Sequence, residues 1–231
     1  MDKWTAAPPS QVSDPEGSAT PKLETRLRVL ILQHPQEPDH ELGTANLTAR
    51  TLAKAEVRVG LSWPNLAKAL GAEATANRWA VLYLGSGLRT TASASGITLV
   101  DKTGAPLAPP APALDGLIVL DGTWSQAKAL WWRNAWLLKA RRAILTPSGP
   151  SLYGELRREP RRECLSTIES VAEALVALGE EPAVGEKLRA EFAAMLTTIR
   201  ASGKRLVPPS GAAAGGKRRG PPPWRRKRTR R

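Results

Sequence analysis

Asp121, Gly122, Thr123 and Trp124 place a carboxylate, a hydroxyl and an indole on neighbouring residues. A carboxylate at the end of a buried strand is suited to general-base work. Glycine permits a tight turn or close approach of the backbone to a ligand. An indole offers a flat face to a nucleobase or to a sulfonium cation. The same residues also suit an ordinary structural role, with Asp121 or Thr123 capping a helix and Trp124 filling the core.

Three further stretches carry chemistry-bearing side chains. In Gln33-His34-Pro35-Gln36-Glu37 a histidine and an acid, His34 and Glu37, follow an apolar run and form either a site edge or a hydrogen-bonded loop. Tyr153 is followed by Arg157, Arg158, Arg161 and Arg162, a cluster that suits phosphates or a solvated loop. Ser166 or Thr167 with Glu169 makes a helix-capping signal, and such a helix start favours anions. Cys164 has basic neighbours but no positioned base, so it reads as structural. With two histidines and one cysteine in the whole chain, no metal site and no internal disulfide are expected.

The elements that must position these groups follow from periodicity. Leu27, Val29, Leu30, Ile31 and Leu32 predict a strand, ended by the prolines at 35 and 38. Thr44 to about Val57 has a helical pattern, Leu66 to Leu70 predicts a short helix stopped at Gly71, and Trp79 to Leu84 a strand that turns at Gly85-Ser86-Gly87. Thr90 to Thr98 is ambiguous, and Pro106 to Pro112 is a connector. Leu117 to Leu120 is a buried strand ending on Asp121-Gly122. Trp124, Ala127, Trp131, Ala135 and Leu138 then recur at helical steps and predict one buried face. A strand over Ala143–Leu145 and helices over Leu165–Leu178 and Glu186–Ile199 complete the pattern. Alternating strands and helices predict an α/β domain with a mostly parallel sheet and flanking helices. In such sheets ligands sit at the carboxyl ends of strands, which is where Asp121 falls.

Charge divides the chain. Net charge is +13, from 34 Lys and Arg against 21 Asp and Glu. Eleven of the basic residues and none of the acids lie between Lys204 and Arg231. Residues 1–25 read as a disordered leader, 26–202 as the folded domain and 203–231 as a disordered basic tail. A basic tail with Trp224 embedded suits RNA phosphates and stacked bases. No apolar run approaches the roughly 20 residues of a membrane span, and residues 1–20 lack an apolar signal region, so a cytoplasmic protein is expected. Nothing in the pattern marks an oligomer interface.

Taken together these stretches resemble the DTW-domain family, whose Asp-x-Thr-Trp signature stands here as Asp121-Gly122-Thr123-Trp124. The flanking matches are Gln33-His34-Pro35-x-Glu37, Thr44-Ala45-Asn46-x-Thr48-Ala49, Tyr153 with Arg157 and Pro160, and Leu165-Ser166-Thr167-Ile168-Glu169-Ser170-Val171-Ala172. Each string is short, but their order and spacing agree across most of the body. The resemblance implies a SPOUT-like α/β fold with a knotted carboxyl half. It also implies transfer of the 3-amino-3-carboxypropyl group of S-adenosylmethionine to N3 of a uridine in tRNA. A related group of enzymes modifies ribosomal RNA in this way, so rRNA stays open beside tRNA. On this reading Asp121 and Trp124 are catalytic. The donor is held by Leu84, Gly85, Ser86, Gly122, Thr123, Leu165, Ser166 and Thr167. The RNA substrate meets His34, Glu37, Tyr153, Arg157 and Arg158, with Arg157 pairing either an RNA phosphate or the donor carboxylate. Two other readings are weighed: a SPOUT-type RNA methyltransferase, and a non-catalytic RNA-binding or ribosome-associated protein. One departure from the family pattern is the leader, which lacks the paired cysteines that many members carry.

Overall fold

A computed structural model describes residues 21–37, 43–82, 96–101, 103–108, 113–153 and 165–202. The predicted turn at Leu84-Gly85-Ser86, the arginines at 157, 158, 161 and 162, Cys164 and the basic tail lie outside the described residues.

The strands are β1 (Arg28–Gln33), β2 (Ala55–Val59), β3 (Trp79–Leu82), β4 (Ile97–Val100), β5 (Gly116–Asp121) and β6 (Arg141–Leu145). They form one sheet in the order β2-β1-β5-β3-β6-β4. Every pairing is parallel except β4 with β6, at one edge. The helices are α1 (Thr44–Thr51), α2 (Leu66–Leu70), α3 (Trp124–Arg133), α4 (Thr167–Ala177) and α5 (Pro182–Ala201).

The two-residue period of the strands divides the core into two layers. Val29, Ile31, Leu117, Val119, Ala80 and Leu82 point to one face, where they meet Ile168, Val171 and Leu175 of α4 and Leu188 and Phe192 of α5. Leu30, Leu32, Ile118, Trp79 and Val81 point to the other, against Leu66 and Leu70 of α2 and Trp136 and Leu137. Burial on both faces is why β1 and β5 read as unbroken apolar runs rather than as alternating ones.

Several expectations from the sequence are corrected. The helical pattern over Thr44 to Val57 breaks at Thr51, and Ala55–Val59 is strand β2, in register with Val29–Gln33. Its alternation of Ala55, Val57 and Val59 with Glu56 and Arg58 marks an edge strand, and Glu56 bridges Arg28 and Arg58 at 2.8 and 2.7 Å. The folded body also begins ahead of residue 26. Leu23 donates to Thr51 O and accepts from the Ala53 amide, at 2.8 and 2.9 Å, and Thr25 is buried. The ambiguous stretch ending at Thr98 contributes β4, and α5 starts at Pro182, where a proline suits the first helical position.

The buried face after Asp121 differs from the periodic reading. α3 ends at Arg133 and a tight helical turn over Ala135–Lys139 follows, so the helical phase does not run through. Ala127, Leu130, Trp136 and Leu137 are buried, while Trp124 and Leu138 are exposed. Asn134 makes the break. Its side chain donates to Leu130 O and Leu61 O and accepts from the Trp63 amide, which turns the chain and ties it to the loop after β2.

Candidate active site

Asp121 ends β5 directly beside Gln33, which ends β1, and the two are register partners. The chain leaves β1 towards α1, on the face of α4 and α5, and leaves β5 towards α3 and Trp136, on the opposite face. Adjacent parallel strands whose following helices depart to opposite faces leave a crevice between their carboxyl ends, the usual ligand position in such sheets.

Two side chains fix the Asp121 carboxylate, and a third bond fixes its backbone. Gln33 Nε2 donates to Oδ2 at 2.8 Å. Thr167 Oγ1, in the first turn of α4, donates to Oδ1. The His34 amide donates to the Asp121 carbonyl at 3.0 Å. A carboxylate offers about four lone-pair sites, so two remain open to a ligand. The carboxylate is half-buried, held from two sides and reachable from the crevice.

Gly122 has φ +144°, in the region side-chain-bearing residues rarely adopt. A Cβ there would lie 3.0 Å from Gln126 and 3.4 Å from His34. This turn lets α3 start at once. Thr123 is its cap, its hydroxyl accepting from the Gln126 amide while Gln126 Oε1 takes the Thr123 amide at 2.6 Å. α4 opens with the same device: Ser166 and Glu169 cap each other reciprocally. A capping box satisfies the amides of the cap and third residues and leaves those between them for a ligand or water. Two helix starts therefore present partial positive charge on either side of Asp121.

Glu169 does more than cap. It is buried and accepts from Ser151 Oγ, the Leu152 amide, the Ser166 amide and the Ser166 hydroxyl, at 2.7, 2.7, 2.9 and 2.6 Å. That set ties the segment after β6 to the start of α4 and so holds Thr167 against Asp121.

The structure thus brings Asp121, Gly122, Thr123, Trp124, Ser166 and Thr167 together, with His34 beside them. His34 is half-buried; its Nδ1 accepts from the Gln36 amide at 3.3 Å, and its carbonyl accepts from the Glu37 amide at 3.0 Å. Gln36 Oε1 in turn accepts from Gln126, which links this loop to α3. Leu165 is half-buried just ahead of the cap. Trp124 is 38% exposed and leaves its indole available rather than filling the core. Tyr153 goes the other way. It is 1% exposed and packs edge-on to Phe192 with centroids 4.9 Å apart, so it is a core residue and offers no surface to a substrate.

Gln33 stands out in the sequence only as a neighbour of His34. It is 1% exposed, and its Oε1 has no hydrogen-bond partner among the described residues. Its amide nitrogen must face the carboxylate, which only accepts, so the oxygen is turned elsewhere. A buried acceptor left unpaired costs on the order of 1–3 kcal/mol, and such an atom at a crevice is poised to accept from a ligand. Among the described residues no group of three or more His, Cys, Asp and Glu could hold a metal, and no helix is long and apolar enough to cross a membrane.

The class these features define is an α/β protein built on a mostly parallel sheet, with a fixed carboxylate and two capped helix starts at the carboxyl edge. The DTW domain family matches residues 16–200, and the chain belongs to that family. Among curated proteins it is 30% identical to tRNA-uridine aminocarboxypropyltransferase 2 of Drosophila melanogaster over 165 residues, 70% of this chain and 60% of the relative. It is 29% identical to the protein of that name from Macaca fascicularis over 182 residues, 75% of this chain and 55% of the relative. The chain thus spans somewhat more than half the length of these relatives. No solved structure matches it.

Proposed function

We propose that this protein transfers the 3-amino-3-carboxypropyl group of S-adenosylmethionine to N3 of a uridine in tRNA, on a SPOUT-like fold whose carboxyl half is knotted. The names of its relatives support the reaction and the RNA class. The observation that carries the reading is the Asp121 carboxylate, held by Gln33 and Thr167 beside the unpaired Gln33 Oε1.

The residues present fit such a donor. Its ammonium and adenine amino groups are N–H donors, which the buried Gln33 acceptor lacks. Its carboxylate is an anion, which suits the open amides at the starts of α3 and α4. Bound S-adenosylmethionine would supply an electrophilic γ-carbon next to a sulfonium leaving group.

The chain has three tasks around that carbon. Asp121 takes the uracil N3 proton on one of its two open lone-pair sites, which leaves N3 as the nucleophile. The hydrogen bonds from Gln33 and Thr167 keep the carboxylate from rotating, so its position costs no reorganisation at the moment of reaction. Trp124 offers its exposed face to the uracil ring. Holding two reactants in a productive geometry can supply on the order of 7–11 kcal/mol of a barrier, which is the main work left to a protein whose leaving group is already activated.

The test is incubation of the full chain with unmodified tRNA and S-adenosylmethionine, followed by mass analysis of the nucleosides. A uridine carrying the aminocarboxypropyl mass, with methylthioadenosine released, is the expected result. A methyl adduct would identify a methyltransferase instead. RNA binding with no adduct under any donor would leave an RNA-binding protein without catalysis.

A further inference from the structure

The exposed face of α3 is unusual for a helix that packs on a sheet. Ala127 and Leu130 are buried beneath it, and Trp124, Lys128 and Trp132 recur every four residues on one outward stripe. Trp132 is 79% exposed, the most of any large apolar side chain described. Arg133 flanks the stripe, and its carbonyl accepts from Ser62 Oγ at 3.0 Å, which brings the exposed Leu61 alongside. On the inner shoulder Arg142 lies over the Trp131 ring at 5.6 Å. Between Asp121 and Glu155 the chain holds five basic residues and no acidic one.

We infer that this stripe is a stacking platform for unpaired RNA next to the target uridine, with Trp132 as base-stacking surface and Lys128 and Arg133 as phosphate contacts. The inference rests on the RNA substrate proposed above and extends it to a surface outside the crevice. Solvent-exposed indoles interleaved with cations, without acids, match what a single strand presents: a flat apolar base and an anionic backbone. A protein-docking patch of this exposure has no need of the uniform charge sign. Position supports the same occupant. Trp124 and Trp132 are eight residues apart on one helix, about 12 Å at 1.5 Å per residue. The helix begins at the Asp121 turn, so a strand whose uridine enters the crevice runs along it.

Binding of a fluorescein-labelled single-stranded oligoribonucleotide to the full chain, without donor and across a salt series, tests this by anisotropy. Trp132→Ala should weaken binding about fivefold or more, and Trp132→Phe should restore most of it. Lys128→Ala with Arg133→Ala should lower the slope of log affinity against log salt by about 0.7 for each phosphate no longer neutralised. Wild-type affinity and slope in these variants would overturn the proposal. Conversion of a dimer to a monomer by Trp132→Ala in sedimentation would overturn it too, by assigning the stripe to a second copy. The transferase reading fails separately, through wild-type protein that binds the oligonucleotide here yet adds no mass to tRNA.

Discussion

Gln33 and Asp121 end adjacent parallel strands at the same register position, and the amide of one holds the carboxylate of the other at 2.8 Å. Both side chains therefore reach the crevice from the sheet itself, the most rigid part of the fold. Thr167 closes the arrangement from the opposite side. The consequences can be separated by substitution.

Asp121→Asn keeps the size of the side chain and removes its charge and its capacity to take a proton. Donor binding measured by calorimetry is expected to stay near the wild-type value, while single-turnover transfer falls by about 10²–10⁴, the range for loss of a general base. Near-normal transfer would remove Asp121 from the chemistry, both as base and as charge.

Gln33→Leu separates function from stability. Leucine removes the unpaired acceptor but also the Nε2 donor to Asp121; the two changes oppose each other, so the unfolding free energy from urea titration should move by no more than about 2 kcal/mol. The dissociation constant for S-adenosylmethionine should rise about tenfold, as expected for a lost hydrogen bond to a charged group. A large fall in stability with unchanged donor affinity would make Gln33 a structural residue only.

Glu169→Ala acts on the scaffold. It leaves the Leu152 and Ser166 amides and the Ser151 and Ser166 hydroxyls without their acceptor. Denaturant unfolding should show a loss on the order of 3 kcal/mol. Glu169→Gln, which keeps an acceptor oxygen, should lose less.

Removal of residues 204–231 takes away eleven basic residues and no acid. If the tail contacts RNA phosphates, tRNA binding weakens and its dependence on salt flattens. Equal affinity with and without the tail, at low and at physiological salt, would leave RNA binding to the folded domain alone.

Much of the fold is legible in the residues. β1 and β5 read as strands because burial on both faces demands unbroken apolar runs, and Asp121-Gly122 reads as a sharp turn because only glycine takes φ +144° easily. The end of α2 at Gly71 and the start of α4 at Ser166 are equally plain, because caps are local chemistry, complete within four or five residues. β2 escapes the pattern because an alternation of only five residues directly after a helix does not stand apart from the helical spacing before it, and pairing with β1 decides its state. The buried face of α3 escapes it too, because the phase break at Asn134 depends on partners at Leu61 and Trp63, seventy-odd residues away.

Local chemistry is therefore enough for an α/β chain, a turn carrying Asp121 and Trp124, and a capped helix at Ser166. Long-range packing is needed to bring Thr167 and Gln33, 46 and 88 residues from Asp121, onto its two oxygens, and to bury Tyr153 in the core. Periodicity reports which face of an element is buried, whereas a hydrogen bond between distant residues depends on strand order and register, which no local pattern contains.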